Sequence, residues 1–135
     1  MKFLIDTNIF LEIILNQERA EEAKKLLNGV FQEDLSLSDY SLHSIGTILV
    51  ARNRHVLFQQ FIEDVIINAR IKIISLLEED LIQLVKAAKK FRLDFDDAYQ
   101  YLSAKKYRLT LISFDKDFDR TDLKRKTPAE LEVEK

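Results

Sequence analysis

The sequence predicts an α/β fold in which helices cover both faces of a parallel sheet. Four short apolar segments recur along the chain, separated by stretches whose apolar residues have helical spacing. These segments are short and mostly apolar, which is typical of strands buried on both faces. Only two glycines and one proline occur in 135 residues, so helix should dominate outside the strands.

The apolar segments define the predicted strands, which are Phe3–Asp6, Leu35–Leu37, Ile71–Ile74 and Leu109–Ser113. A last short strand is expected near Lys124–Thr127, just before Pro128. The sheet should therefore contain four to five strands. We expect a single domain over residues 1–135, with fraying beyond about residue 130.

Helices are predicted between these strands from apolar residues spaced three and four apart. The first three should cover Ile9–Leu15, Ala20–Leu27 and Tyr40–Ala51. Three further helices are indicated by the apolar repeats Phe58, Phe61, Ile62, Val65, Ile66 and Ala69, then Leu81, Leu84, Val85, Ala88 and Phe91, then Ala98, Tyr101 and Leu102. Ser75 and Glu78 form a capping-box pattern that predicts a helix start after the third strand. Gly46 lies inside a predicted helix, where glycine costs about 1 kcal/mol relative to alanine, and close helix packing would explain it.

The composition excludes several classes of protein. The chain has no cysteine, which excludes disulfides, cysteine-ligated zinc and a thiol nucleophile. No apolar run reaches the roughly 18 residues that span a bilayer, and the N-terminus lacks the features of a signal peptide. We therefore expect a cytoplasmic protein without membrane contact. The net charge of −2 argues against a protein that coats nucleic acid through charge alone.

Basic residues nevertheless group in three places along the chain. The clusters are Lys86, Lys89, Lys90 and Arg92, then Lys105, Lys106 and Arg108, then Arg120, Lys124, Arg125 and Lys126. Solvated helix faces are the simpler interpretation, and contacts with a phosphate backbone beside an acidic site are the alternative. Arg52, Arg54 and Lys116 are further candidates for holding the phosphates that flank such a site.

Acidic residues follow the first and fourth predicted strands and also open the helix that precedes the fourth. Asp6 ends the first strand, and Asp115 and Asp117 follow the fourth. The helix that begins at Asp96 and Asp97 leads into the fourth strand, so it must start at the carboxyl edge of the sheet. Ligands bind at this edge in open α/β sheets. Each acid alone has a structural explanation as a helix cap, a first-turn acid or a solvated turn, but three separate segments converge on one edge.

Carboxylates crowded together repel one another unless they share a cation or a proton. Mg²⁺ takes carboxylate oxygens and keeps several waters and substrate phosphates as its other ligands. We therefore expect a divalent metal site held by Asp6, Asp97 and Asp115, with Asp117 orienting a water or a second ion. Asp39 follows the second strand and is expected to cap the next helix or to lie in its first turn.

Three motifs resemble the PIN-domain family, in particular its small single-domain VapC-type toxins. They are Leu4-Ile5-Asp6-Thr7-Asn8, Asp96-Asp97-Ala98 and Leu111-Ile112-Ser113-Phe114-Asp115-Lys116-Asp117-Phe118. The resemblance extends over nearly the whole chain. It implies a three-layer α/β/α sandwich with a central, mostly parallel sheet, and a ribonuclease that uses Mg²⁺ or Mn²⁺ to cleave RNA. For a toxin of a type II toxin–antitoxin pair it also implies an antitoxin partner and a homodimer.

The resemblance also assigns roles to individual residues. Asp6, Asp97 and Asp115 match the metal-binding acids, Asp117 matches a frequent further acid, and Asn8 and Ser113 match polar positions that support the acids. The family normally carries a glutamate on the helix after the second strand, and this position falls at about Ser44 here.

The missing glutamate leaves three alternatives open. Asp39 or His43 substitutes from a shifted position, the site works with fewer acids, or it is inactive. In the last case the chain would be a catalytically impaired module that binds RNA or a protein partner. A phosphotransfer domain fits less well, because its acceptor aspartate should follow a central strand and its partner lysine the last strand.

Overall fold

The computed structural model describes the backbone of residues 1–134 and the side chains of residues 1–131. Its strands are β1 Phe3–Ile5, β2 Leu35–Ser38, β3 Lys72–Ile74 and β4 Thr110–Ile112. They form one parallel sheet in the order β3-β2-β1-β4. Each strand begins and ends within one residue of its predicted bounds. The predicted parallel sheet is therefore confirmed.

The strand expected near Lys124–Thr127 is reduced to a single bridge. Lys126 pairs with Ile112 in parallel, and its N–H donates to the Leu111 carbonyl at 2.9 Å. The pairing stops there because a helix begins at Pro128. Leu131 in this helix is only 6% exposed, so the chain is packed at least that far, whereas the fraying expected for Lys135 lies outside the described residues.

Helices connect the strands and continue after the last one. They are α1 Thr7–Ile14, α2 Ala20–Gly29, α3 Asp39–Ala51, α4 His55–Phe61, α5 Asp80–Phe91, α6 Phe95–Tyr107 and α7 Pro128–Glu134. The helix predicted from the repeat beginning at Phe58 is divided, because α4 continues as a π-helical segment over Ile62–Asn68. Short 3₁₀ turns cover Gln32–Asp34 and Lys116–Arg120. Within residues 1–134 no helix combines the length and the apolar character needed to cross a bilayer.

Side-chain caps mark the beginnings of three helices at the carboxyl edge of the sheet. Helices α1 and α3 each follow a strand directly, and α6 is the third. Asp6 Oδ1 accepts from the Thr7 N–H at 2.8 Å before α1, and Ser38 Oγ accepts from the Ser41 N–H at 3.0 Å in α3. Asp94 Oδ1 accepts from the Asp97 N–H at 3.0 Å before α6. Each cap satisfies an N–H group that has no partner inside its own helix.

The helix start predicted from Ser75 and Glu78 is wrong, because α5 begins at Asp80. Asp80 itself orders the approach to the helix, since its Oδ2 accepts from the Leu77 N–H at 2.7 Å. The same oxygen pairs with Lys106 Nζ on α6 at 2.5 Å, and this hydrogen bond lowers the pKa of Asp80. The ion pair also joins α5 to α6.

The two faces of the sheet carry separate apolar cores. Successive strand residues point to opposite faces. Leu4 and Leu111 pack with α5 and α6, whereas Ile5 and Ile112 pack with α1, α2, α3, α4 and α7. The α/β/α sandwich implied by the resemblance is therefore confirmed.

Helix α5 packs through a narrower face than the sequence predicts. Leu84 and Ala87 are buried, but Leu81 and Val85, which belong to the predicted apolar repeat, are 42% and 63% exposed. Ile82 is also 63% exposed. Part of the apolar face of α5 therefore contacts solvent in this single chain.

Gly46 in α3 allows α4 to approach closely. A Cβ atom built at this position would lie 2.8 Å from Phe58 Cζ, which is closer than real Cβ contacts. This confirms that helix packing explains the glycine.

Gly46→Ala should lower the free energy of unfolding in the wild-type protein and raise it in the Phe58→Leu variant. With Phe58 present we expect a loss of about 1 kcal/mol, because the added methyl group overpacks the helix contact. In the Phe58→Leu background the same change should add up to about 1 kcal/mol, since alanine favours helix over glycine. Urea unfolding of the four proteins measures both effects. The same sign in both backgrounds would show that Phe58 is not the obstacle.

Candidate functional site

A cavity of about 190 Å³ opens at the carboxyl edge of the sheet. Residues from α1, α3, α6 and the end of β4 line it, namely Asp6, Thr7, Asn8, Leu11, Tyr40, Ser44, Asp96, Asp97, Gln100 and Asp115. We call this the acidic pocket. The structure therefore brings together acids that lie about a hundred residues apart in the chain.

Asp6 is a buried carboxylate held by three donors. Its Oδ1 accepts from the Thr7 N–H and from Gln100 Nε2, both at 2.8 Å, and its Oδ2 accepts from Ser113 Oγ at 2.6 Å. Burial raises the pKa of Asp6 and the charge of Asp115 adds to it, although the three hydrogen bonds oppose this. A carboxylate has about four lone-pair sites, so Asp6 keeps about one for a further ligand.

Gln100 holds Asp6 in place and was not found from the sequence. Its Nε2 donates to Asp6 Oδ1 and to Ser41 Oγ, both at 2.8 Å, and its Oε1 accepts from Ser38 Oγ at 2.6 Å. The residue is 1% exposed. Its position three residues after Asp97 places both on one helix face, which was the available signal.

Asp97, Asp115 and Asp117 can each direct one carboxylate oxygen so that all three atoms lie within 4.8 Å of one another. Asp97 is buried, and the other two are half-buried. The predicted metal-binding set was Asp6, Asp97 and Asp115. In the structure Asp117, and not Asp6, completes the group of three neighbouring carboxylates. Asp6 lines the acidic pocket together with Asp97 and Asp115.

The electrostatics of this group favour a bound cation. Burial raises the pKa of Asp97 to about 8, and the charges of Asp115, Asp94 and Asp6 add to the effect. A divalent ion would stabilise the charged form that the neighbouring carboxylates disfavour. Carboxylate oxygens are the donors that Mg²⁺ and Mn²⁺ take, so these residues fit such an ion.

Ser113 and Asn8 build the turn that presents Asp115. The Asp115 N–H donates to Ser113 Oγ at 2.9 Å, and the Asp117 N–H donates to Asp115 Oδ1 at 2.9 Å. Asn8 Nδ2 donates to Ser113 Oγ, and its Oδ1 accepts from the Phe114 N–H, both at 3.3 Å. The two polar residues therefore support the acids, as the resemblance implies.

Neither candidate replaces the missing glutamate. Asp39 does not line the acidic pocket, and its Oδ1 accepts from the Tyr99 hydroxyl at 2.7 Å. His43 is exposed and lines a different cleft beside Gly46. Ser44 does line the acidic pocket, so a hydroxyl stands where the family glutamate is expected. Of the three alternatives, substitution by Asp39 or His43 receives no support from the structure, because neither residue lines the acidic pocket.

Asp96 lies at the exposed rim of the acidic pocket. Its carboxylate accepts a hydrogen bond from the Tyr40 hydroxyl, and together with burial this raises the pKa of Tyr40. Asp96 therefore contributes charge at the mouth of the pocket, while Asp97 lies inside it.

Arg52 and Arg54 do not flank the acidic pocket. They follow α3, whose 13 residues extend about 20 Å from its start at the carboxyl edge. Basic residues do lie near the Asp115 turn, and among them are the exposed Lys116 and Arg19, with the Arg19 guanidinium 4.8 Å from the centre of the Phe114 ring. Arg125 Nη1 also donates to the Ser113 carbonyl at 3.2 Å.

Several members of the predicted basic clusters form ion pairs within the protein. Lys105 pairs with Asp122 at 2.8 Å, and Arg120 pairs with Asp117 at 3.1 Å. These contacts support the simpler interpretation of the clusters as parts of the surface.

A parallel sheet covered by helices on both faces, with carboxylates at its carboxyl edge, defines a small α/β domain with an acidic pocket. The chain belongs to the PIN domain family, whose model matches residues 3–124. The recognition of this family from the sequence is confirmed. No match was found among curated protein sequences.

Solved structures share the fold over most of the chain. VapC20 from Mycobacterium tuberculosis, described as a sarcin-ricin loop cleaving toxin, is 16% identical with a TM-score of 0.77, over 90% of this chain and 96% of that one. FitAcB from Neisseria gonorrhoeae is 21% identical with a TM-score of 0.74, over 94% and 98%. A toxin–antitoxin complex from Klebsiella pneumoniae is 23% identical with a TM-score of 0.69, over 87% and 90%.

Asp97→Asn should stabilise the metal-free protein increasingly as the pH rises. Because the pKa of Asp97 is raised in the folded state, the native wild-type protein holds a proton that the unfolded chain loses, and its stability falls from about pH 4 through about pH 8. We expect the difference between variant and wild type to grow by on the order of 3 kcal/mol across this window. Urea unfolding in a chelating buffer measures it.

The matched control is Asp64→Asn, which changes an exposed carboxylate outside the acidic pocket. It gives the effect of removing one surface carboxylate. A difference between Asp97→Asn and the wild type that does not grow with pH would contradict the raised pKa of Asp97.

Proposed function

We propose that this protein is a divalent-metal-dependent endoribonuclease that acts as the toxin of a type II toxin–antitoxin pair. The observation that carries the proposal is the approach of carboxylate oxygens of Asp97, Asp115 and Asp117 to within 4.8 Å of one another, beside a pocket that Asp6, Asp97 and Asp115 line. Membership of the PIN domain family supports it, as does the fold shared with VapC20, which is described as cleaving the sarcin-ricin loop.

The proposed chemistry is hydrolysis of an RNA phosphodiester bond by water. Asp97, Asp115 and Asp117 would hold Mg²⁺ or Mn²⁺, with Asp6 offering its remaining lone pair. When bound, such an ion supplies positive charge to the scissile phosphate and lowers the pKa of a water. Asp117 is half-exposed and orients the attacking water. Ser113 and Asn8 hold the turn of Asp115, and no side chain forms a covalent bond with the RNA.

The proposal includes partners and a location. An antitoxin partner is supported by the toxin–antitoxin complex from Klebsiella pneumoniae, which shares the fold. A cytoplasmic location follows from the RNA substrate. The expected homodimer remains a prediction, which light scattering tests through the molecular mass. The exposed apolar residues Leu81, Ile82 and Val85 on α5 make this helix the first surface to examine as the dimer contact.

Cleavage of single-stranded RNA should require both the ion and the acids. We expect activity with Mg²⁺ or Mn²⁺, and losses of at least about a hundredfold in Asp97→Asn and Asp115→Asn, because the ion contributes several kcal/mol and each 1.36 kcal/mol is tenfold in rate. Gel analysis of a labelled oligonucleotide measures the rates.

Asp64→Asn, purified in parallel, should cleave like the wild type. Equal rates in the wild type and in both site variants would identify a contaminating nuclease and overturn the proposal.

Ser44 favours the alternative of a catalytically impaired module that binds RNA or a protein partner, because the pocket lacks one family carboxylate. Ser44→Glu should strengthen Mn²⁺ binding by at least about tenfold, since a charge several ångströms from the ion contributes a few kcal/mol. Titration calorimetry measures the affinity. Ser44→Gln is the uncharged control and should not strengthen it.

The same titration separates the two functions. A wild-type protein that binds no Mn²⁺ up to millimolar concentrations, beside a Ser44→Glu variant that does, would favour the impaired module. Equal effects of glutamate and glutamine would show that charge at position 44 is irrelevant.

A further inference from the structure

Three aromatic rings form a cluster at the rim of the acidic pocket. The Phe95 ring lies 6.1 Å from Tyr40 and 6.0 Å from Tyr99, measured between centroids, and Tyr40 lies 5.8 Å from Tyr99. Tyr40 lines the acidic pocket, and Phe95 directly precedes Asp96 and Asp97 in α6. The cluster therefore borders the group of carboxylates.

Tyr99 anchors the cluster from below. It is 8% exposed, its hydroxyl donates to Asp39 Oδ1 at 2.7 Å and accepts from the Leu76 N–H at 3.1 Å. Burial raises the pKa of Tyr99 to about 12, with the hydrogen bond to Asp39 adding to the effect and the Leu76 N–H opposing it, so the hydroxyl stays protonated as a donor. Asp39, a candidate for replacing the missing glutamate, thus holds this ring.

Phe95 is fixed in position but remains open to solvent. It is the first residue of α6, whose start is held by the cap of Asp94. The residue is nevertheless 53% exposed. The Tyr40 ring meets it at an interplanar angle of 62° and the Tyr99 ring at 41°, so two neighbouring rings support an apolar ring that is open to solvent. Neither the cap nor the core requires a phenylalanine at this place.

The charges around Phe95 restrict what can cover it. Asp94 and Asp96 flank it in the chain and are exposed carboxylates, which repel phosphate groups. A nucleobase is suited to this position because it has an uncharged π-face and, on its edge, amino groups that donate to carboxylates. Stacking on an exposed ring needs an unpaired base, since a duplex buries the faces of its bases.

We propose that Phe95, supported by Tyr40 and Tyr99, is a stacking platform for an unpaired base next to the scissile phosphate, which makes single-stranded RNA the substrate. This rests on the proposed nuclease function. The sugar-phosphate backbone crosses the acidic pocket, and the neighbouring base turns onto Phe95. The platform accepts any base, because stacking depends on the π-face that all bases share.

The first arm of the test compares side chains at position 95 by cleavage of a single-stranded RNA oligonucleotide. Phe95→Ala should raise KM about fivefold or more, the range found for loss of one stacked base, with a smaller effect on kcat. Phe95→Tyr should retain the wild-type KM, and Phe95→Leu should behave like alanine. Phe31→Ala is the matched control, because Phe31 is 74% exposed and lies before β2 at the opposite edge.

The second arm replaces the nucleotides of the oligonucleotide one at a time with abasic residues. Binding is followed by fluorescence anisotropy with Mn²⁺ present and with Asp97→Asn to prevent cleavage. At one position, the abasic replacement should weaken binding to the Asp97→Asn protein. The same replacement should have little effect on binding to the Asp97→Asn, Phe95→Ala double variant. This coupling reports a direct contact between the ring and a base.

The outcomes distinguish the platform from the nuclease function. Cleavage by the wild type, with unchanged KM in Phe95→Ala and no coupling to any abasic position, would overturn the platform alone. Coupling without cleavage under any metal would support the platform and overturn the nuclease. A wild-type KM in Phe95→Leu, or a change of oligomeric mass in Phe95→Ala without abasic coupling, would identify an apolar protein contact and overturn the platform.

Discussion

The buried amide of Gln100 is the contact on which the acidic pocket depends. It joins Asp6 after β1 to Ser38 and Ser41 at the start of α3, with distances of 2.6 to 2.8 Å. A carboxylate this deeply buried is costly unless donors reach it. Because Gln100 lies on α6, one side chain connects three segments of the carboxyl edge and orients Asp6 within the pocket.

The acids on the other side of the pocket lie close to one another, although Asp115 accepts from the Asp117 N–H and Asp117 pairs with Arg120. Burial raises the pKa of Asp97, and the charges of Asp115, Asp94 and Asp6 add to the effect. Their repulsion is tolerated because the rest of the sandwich is well packed, with an apolar core on each face of the sheet. Carboxyl groups with strongly perturbed pKa values are concentrated at functional sites. Here they lie where a bound cation would stabilise their charged forms.

The sheet and the convergence of the acids could be predicted because both follow from chain topology. Short apolar runs locate buried strands, and a parallel strand dictates the edge at which its helix begins. The side-chain partners could not be predicted in the same way. Asp39 binds Tyr99 because α3 packs against α6, and Asp80 orders the start of α5 while it pairs with Lys106 because α5 packs against α6.

Details of exposure were also beyond the sequence. Leu81 and Val85 match the helical repeat of α5 as well as Leu84 does, yet only Leu84 is buried. Periodicity gives the direction of a helix face, and the width of the contact depends on the neighbouring helix. Gln100 went unnoticed for a related reason, since a lone glutamine in a sequence does not reveal whether its amide is buried.

The order of the strands has a consequence for biosynthesis. β4 is the last strand made, and it lies beside β1, the first. Asp115 and Asp117 reach Asp97 only after this pairing, so the acidic pocket does not exist in an unfinished chain. A protein that attacks RNA would thereby be harmless to its own messenger until the chain has been made beyond Asp117. The parallel pairing of β1 with β4 would act as a delay between synthesis and activity.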